Sequence, residues 1–325
     1  MNRFGTQFRL ALWGESHGPQ IGLTIDGVPA GMALSADDFA ADLARRRSCG
    51  TAGTTPRQEK DEPQIVAGIY KGYTTGAPLT LVFANSDTRP DDYEALTGHD
   101  RPSHADRVAW ERSGGFNDPR GGGHFSGRLT LALVAAGAVA KKLLPETVRF
   151  ATHVAEIGGC TDPARFDEIV RAAAADGDSV GGIVECRAEG IPAGWGEPFF
   201  DSAESLTAHL LFAIPGVKGV EFGSGFAAAR MRGSEHNDPI LDAAGRTATN
   251  HAGGIVGGLT NGNELVVRAA FKPTASIARE QTTYNRTTGR TEPLAIGGRH
   301  DACIALRGAA AVEAAVAIAL ADLRR

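Results

Sequence analysis

The 325-residue chain is 42% hydrophobic and 22% charged and carries a net charge of −5, a balance that fits a soluble globular protein and argues against a nucleic-acid or membrane-surface binder. Cys49, Cys160, Cys186 and Cys303 lie far apart with no C-x-x-C pair, so they read as reduced thiols and not as a disulfide or zinc framework. No apolar run approaches the ~20 residues of a bilayer span, and the N-terminus lacks the apolar stretch of a signal peptide, so the expected location is the cytoplasm.

Period-2 apolar stretches predict strands at Gln7–Trp13, Ile21–Asp26, Gln64–Tyr70, Leu79–Ala84, Ile183–Arg187 and Glu264–Phe271. Ser35 and Asp38 form a capping-box pattern ahead of a helix over Phe39–Arg47, whose last turn carries Arg45, Arg46 and Arg47. Asp162-Pro163 starts another helix, and Ser202 caps one that runs to Ala213. Ser126–Leu144 and Ala309–Leu323 are apolar nearly all round, which predicts central, buried helices. Strands outside and apolar helices within predict an α+β fold with helices sandwiched between sheets. Gly27-Val28-Pro29-Ala30-Gly31 recurs as Gly190-Ile191-Pro192-Ala193-Gly194, each string following a strand and preceding a helix. An old duplication accounts for this, giving two similar halves (roughly 1–160 and 161–325) within one domain spanning 1–325.

Four segments carry candidate chemistry. Gly14-Glu15-Ser16-His17-Gly18 satisfies G-x-S-x-G, but a nucleophile elbow needs a helix after the serine, and here Pro19 and a second strand follow. Ser16 and His17 also read as ordinary turn residues. Arg101-Pro102-Ser103-His104-Ala105-Asp106, alone, is a solvated loop with a surface histidine. Arg120-Gly121-Gly122-Gly123-His124-Phe125-Ser126-Gly127-Arg128 is a glycine-rich turn feeding a helix N-terminus, and its flanking arginines favour an anionic ligand. The C-terminal half adds Asn250-His251-Ala252-Gly253-Gly254, Lys272-Pro273-Thr274-Ala275-Ser276 at a strand end, and Arg299-His300-Asp301 before the last helix. The nine histidines show no metal-ligand spacing, so no metal is assigned.

In this order the segments resemble the chorismate synthase family, through G-E-S-H-G with I-G-L-T-I-D-G-V-P, the Ser126-Gly127-Arg128 helix start, and Arg299-His300-Asp301-Ala302-Cys303 with Glu313-Ala314. The resemblance implies a β-α-β sandwich with buried central helices between antiparallel sheets, in two pseudo-symmetric halves and usually as a homotetramer. It implies a 1,4-anti elimination of phosphate from 5-enolpyruvylshikimate 3-phosphate that uses reduced FMN and yields chorismate. By motif, His17 is implied as a proton donor near the flavin and His104 as general acid toward the phosphate. Asp301, with flavin N5, is implied in removal of the C6 proton. Substrate contacts are implied for Arg46, Arg101, Arg128 and Arg299, with Arg46 also at NADPH. Flavin contacts are implied for His124, Phe125, Ser126, Pro215, Gly216, Gly257, Lys272, Pro273, Thr274, Ala275, Ser276 and Arg299. The reductant is NADPH acting on the enzyme's own flavin or an external flavin reductase.

The chain departs from the family pattern at named places. His124-Phe125-Ser126-Gly127-Arg128 stands where many members read R-S-S-A-R, Ala52 replaces a frequent arginine, Ala302 a proline and Ala275 a serine. A serine hydrolase and a non-catalytic flavin-storage protein are the alternatives. His17, His104 and Asp301 argue against mere storage, because binding does not require them.

Overall fold

In the computed structural model, which describes residues 2–47, 53–54, 57, 59–87, 98–297 and 300–324, two antiparallel sheets enclose a layer of helices. The N-terminal part supplies β1 (Arg3–Phe4), β2 (Arg9–Gly14), β3 (Gln20–Asp26), α1 (Ala40–Arg46), β4 (Gln64–Ala67), β5 (Ile69–Tyr70), β6 (Tyr73–Thr74), β7 (Leu79–Ala84), α2 (Asp106–Ser113) and α3 (Thr130–Leu143). There follow β8 (Arg149–Ile157), α4 (Phe166–Ala175), β9 (Gly182–Glu189), α5 (Ala203–Phe212), β10 (Val217–Phe222) and α6 (Gly233–His236). The chain ends with β11 (Ile255–Val256), β12 (Leu259–Thr260), β13 (Leu265–Phe271), β14 (Gln281–Asn285), β15 (Arg290–Leu294) and α7 (Ala305–Leu323). One sheet has the order β1-β2-β3-β7-β4 and the other β10-β13-β9-β8.

Alternation builds the sheet faces. Ile21, Leu23 and Ile25 of β3, with Leu79, Leu81 and Phe83 of β7, are fully buried. Val184, Cys186 and Ala188 of β9 repeat the pattern in the second sheet. Between the sheets, α3 packs on β2 and β3, α7 on β8, β9 and β13, and the two helices on each other. Every α3 residue from Leu131 to Ala140 is buried, as its all-round apolar sequence predicts. The helices approach so closely that a Cβ on Gly137 would lie 2.4 Å from the Cβ of Ala314.

The two halves repeat in detail. Thr74 Oγ1 donates to the carbonyl of Pro29 (2.6 Å) and accepts from the Met32 N–H (2.9 Å). Thr260 Oγ1 donates to the carbonyl of Pro192 (2.7 Å) and accepts from the Trp195 N–H (3.0 Å). Each threonine ends a two-strand hairpin, β5–β6 or β11–β12, placed on the matching G-x-P-A-G turn. Strands β2-β3-β7-β4 correspond to β8-β9-β13-β10, so the fold is the expected α+β sandwich of two pseudo-symmetric halves.

Some elements differ from the periodicity reading. Gln64–Tyr70 is broken at Gly68, whose φ of +87° turns the chain so that β4 pairs with β7 and β5 with β6. The Ser126–Leu144 helix opens as a 3-10 turn over Gly127–Leu129, with the Ser126 hydroxyl accepting the Arg128 N–H. The last helix begins at Ala305, ahead of the expected Ala309. The reading does not anticipate β8, β10, α2 or the β14–β15 hairpin; β8 and β10 pair with β9 and β13, whereas β14 and β15 pair with each other. No helix among the described residues is long and apolar enough to cross a membrane.

Charge locks the helix layer. Glu313, buried on α7, accepts from Arg45 of α1 at 2.7 and 2.8 Å and from Lys141 of α3. Burial alone would raise its pKa, but the hydrogen bonds and charges of Arg45 and Lys141 outweigh it and lower the carboxyl from 4.5 to about 2. A depressed carboxylate contributes stability in full above its unfolded value, and the contribution is lost as pH falls through the folded one. Glu313→Gln is therefore expected to lower unfolding free energy by roughly 3 kcal/mol at pH 7. In urea unfolding followed by circular dichroism, the gap from wild type should narrow progressively below pH 4.5; a gap independent of pH would rule the charge network out as the cause.

Candidate functional site

Both central helices begin at one cavity of about 700 Å³. Gly127 to Leu129, Thr130 and Leu133 line it from the start of α3, and His300, Asp301, Ile304 and Arg307 from the start of α7. Helix N-termini carry partial positive charge, which favours anions. Among the described residues, seven Lys and Arg line the cavity against three carboxylates, Glu59, Asp61 and Asp301, in a chain whose net charge is −5. One wall is apolar, made by Leu10, Leu12, Leu129, Leu133, Leu210 and Ile304.

The glycine turn brings His17 and His104 together. A Cβ on Gly121 would lie 2.4 Å from Cε1 and Nδ1 of His17, and one on Gly122 would lie 3.2 Å from Cε1 of His104. Gly121 and Gly122 also have φ of +58° and +82°, where side chains other than glycine are strained. Backbone therefore packs directly on both rings. The Ser16 N–H donates to the Gly123 carbonyl (3.1 Å), fastening the β2–β3 turn to the glycine turn. That turn is strand–turn–strand, Ser16 is buried, and its hydroxyl accepts from Arg57, so the nucleophile-elbow geometry is absent here.

His104 lies in the turn that leads into α2 and is half-buried, where the string by itself suggests a solvated surface histidine. Its Nδ1 is 2.7 Å from Oδ1 of Asp106, and Arg101 clamps the same carboxylate from Nε (2.6 Å) and Nη2 (2.7 Å). Arg101 also donates to Ser276 Oγ at 3.2 Å, so its guanidinium lines the cavity while committed to protein partners. Asp106 is a residue that motif reading names only as the end of a string.

Arg128 is buried at the cavity wall, with Nε on Asn85 Oδ1 (3.1 Å) and Nη1 on Asp61. Its Nη2 is buried and has no hydrogen-bond partner, an arrangement that an oxyanion in the cavity would complete. Arg46 differs from the sequence expectation: it is 2% exposed and does not line the cavity. It donates to Thr130 Oγ1 and to the carbonyls of Gly127 and Arg128, so it supports the Arg128 loop from behind. Helix geometry explains this, because successive residues point about 100° apart. Arg45 turns to Glu313, Arg46 inward, and Arg47 toward the cavity. Arg47 and Arg57 are cavity residues that motif matching missed, although both are basic and close to the R-R-R string.

Asp301 lines the cavity, is paired with Arg307 at 3.1 Å, and accepts the Thr274 hydroxyl on its backbone carbonyl. Beside it, His300 has its pKa lowered by burial and by the charges of Arg101 and His104, which keeps the ring neutral. His124, Phe125, Ser126, Pro215, Gly216, Lys272, Thr274, Ala275 and Ser276 all line the same cavity. His124 Nδ1 is 2.8 Å from the carbonyl of Gly14, to which it can only donate. Burial and then Lys218 lower the pKa of Lys272, whose ammonium donates to the Ser103 carbonyl. Gly257 lies in the β11–β12 turn and Pro273 points elsewhere; neither is a lining residue. Arg299 and Ala52 lie outside the described residues. Arg120 also stays out of the cavity, half-exposed and paired with Asp118 (2.8 Å).

Gly121→Ala is expected to lose ~1–2 kcal/mol from the left-handed backbone alone, with His17 displaced in addition. Gly233→Ala, where nothing lies within 4 Å of the added Cβ, is expected to cost less. Denaturant unfolding of the two variants checks this; equal losses would mean that His17 does not rest on the turn.

A family model described as chorismate synthase matches residues 8–324. The chain is 56% identical over 322 residues to a chorismate synthase of Chitinophaga pinensis, covering 99% of this chain and 96% of that protein. It is 44% identical over 349 residues to one from Dehalococcoides mccartyi, with 99% and 96% covered. A crystal structure of chorismate synthase superposes with a TM-score of 0.70 at 25% identity, covering 98% of this chain and 92% of the other. The chain belongs to the chorismate synthase family of lyases.

Proposed function

We propose that this chain, as a chorismate-forming lyase of that family, converts 5-enolpyruvylshikimate 3-phosphate to chorismate and phosphate by 1,4-anti elimination with reduced FMN, in the shikimate route to aromatic amino acids. The observation that supports this most is the convergence of His17, His104 and Asp301 on one basic cavity. The substrate brings a phosphate and two carboxylates, and charged hydrogen bonds to such groups contribute ~1.5–3 kcal/mol each.

The residues fit a flavin phosphate and a planar ring. Arg128 has a buried Nη2 in want of an acceptor, nothing lies within 4 Å of a Cβ placed on Gly127 at the cavity wall, and the wall of Leu10, Leu12 and Leu133 is apolar. Ser126, Pro215, Gly216, Lys272, Thr274, Ala275 and Ser276 would hold the cofactor. Reduced FMN supplies electron density to the substrate ring without net oxidation.

In this reading His104 donates a proton to the departing phosphate from Nε2. Asp301 takes the C6 proton, with Arg307 balancing the carboxylate until then. His17, set against Gly121, holds a proton where negative charge accumulates. Arg128 and Arg101 bias the cavity toward anions, Arg128 by direct contact and Arg101 through its field. Arg46 contributes by fixing the Arg128 loop. For NADPH, whether oxidised here or by an external flavin reductase, Arg47 at the cavity is the better placed cation. The repeated Thr74 and Thr260 hydrogen bonds support descent from a duplication within one domain, and family membership supports a cytoplasmic homotetramer.

Incubation of the protein with chemically reduced FMN and 5-enolpyruvylshikimate 3-phosphate in air-free buffer is expected to release phosphate and chorismate together; folded protein without turnover would overturn the assignment. His104→Ala should slow turnover by ~10²–10⁴-fold with FMN affinity nearly unchanged, whereas equal losses in both would make the histidine structural. Asp301→Ala should likewise act on rate, and an unchanged rate removes it from the mechanism.

A further inference from the structure

We infer that Asp106 is a positioning residue of this reaction, holding His104 in the single tautomer that carries hydrogen on Nδ1 and turns Nε2 to the cavity. The inference rests on the reading of His104 as the proton donor. Asp106 does not line the cavity, so it acts through the imidazole and not on substrate.

The geometry is specific. Oδ1 of Asp106 lies 2.7 Å from His104 Nδ1 and 2.7 Å from Arg101 Nη2, while Oδ2 lies 2.6 Å from Arg101 Nε and 3.3 Å from the Arg101 backbone N–H. Three of the four contacts come from arginine donors, and the guanidinium is only 5% exposed, fixed on its far side by Ser276. A carboxylate held in this way stays ionised and is acceptor-only. The fourth contact must then be a donor, so Nδ1 bears the hydrogen. Burial alone would raise the Asp106 pKa, but the hydrogen bonds of Arg101 and His104 prevail and hold it well below the usual carboxylate range.

The second ring nitrogen faces the glycine turn: a Cβ on Gly122 would lie 3.4 Å from Nε2. The proton that leaves for phosphate is therefore the second one, which the imidazolium carries on Nε2, and the neutral ring left behind keeps its hydrogen on Nδ1. A carboxylate that fixes tautomer and orientation of a catalytic imidazole is a recurrent device in enzymes. Here the arginine behind it adds a second function. Arg101 keeps Asp106 charged, which explains why an arginine at an anion-binding cavity is committed to protein partners. Asp106 is also the first residue of α2, where the helix dipole favours a carboxylate.

The test is long-range ¹H–¹⁵N spectroscopy on the full chain with ¹⁵N-labelled histidine, the His104 signals being identified by their loss in His104→Ala. Wild type is expected to show Nδ1 protonated, and an Nε2–H neutral tautomer there overturns the proposal without any variant. Asp106→Asn is expected to lose the single tautomer and to lower kcat about 100-fold, with KM and FMN affinity little changed. Asp106→Glu, which retains the charge, should recover part of both the spectrum and the rate. Unchanged Nδ1 protonation in Asp106→Asn, or a lost tautomer at an unchanged kcat, also overturns the proposal. A wild-type rate for His104→Ala instead removes the general-acid reading itself, whatever the spectrum shows, so the two failures are distinguishable.

Discussion

Because Gly137 lets α3 approach α7 until backbone meets the Cβ of Ala314, the two central helices behave as one rigid layer, and each begins at the cavity. Residues at those two starts, Ser126 to Thr130 and Asp301 to Arg307, come from opposite halves of the chain yet keep a fixed spacing. Glu313, Arg45 and Lys141 brace the same layer where α1 joins it. A rigid, dry helix pair suits a site in which donors must be held within fractions of an ångström. The sheets on either side contribute the remaining walls, the β2–β3 turn carrying His17 and the end of β13 the Lys272 segment to the cavity.

Electrostatics at the cavity follows one pattern, in which buried and half-buried arginines pair with carboxylates. Asp61 faces Arg128, Glu59 faces Arg57, Asp106 faces Arg101 and Asp301 faces Arg307. An uncompensated guanidinium in such a place costs several kcal/mol, roughly the energy lost on breaking a buried pair. The carboxylates keep the arginines ordered before substrate arrives. They do not neutralise the cavity, since Lys and Arg outnumber acids along its lining and Arg128 retains an Nη2 with no partner. Preordered positive charge is what a polyanionic substrate needs, because it requires little rearrangement at the moment of binding.

The pairings also explain why motif matching and geometry assign different tasks to individual arginines. In the Arg45-Arg46-Arg47 run all three are equally plausible anion contacts on paper. The helical turn sends them to Glu313, to the carbonyls beneath Arg128 and to the cavity, respectively. Arg101 likewise matches a substrate contact by motif but clamps Asp106 in the fold.

From its residues alone the chain determined the strands with strict alternation, such as Ile21–Asp26 and Leu79–Ala84, and both all-apolar helices, because periodicity and local apolar content are short-range properties. The G-x-P-A-G echo likewise announced two similar halves, and the ordered motifs announced the family. Tertiary structure alone decided the edge strands β8 and β10, the α2 helix that follows the 101–105 turn, and the grouping of His17, His104, Asp301 and Asp106. Those outcomes depend on contacts between residues up to hundreds of positions apart, which no local pattern encodes. A guanidinium or carboxylate takes its task from whatever the fold brings within about 3 Å of it.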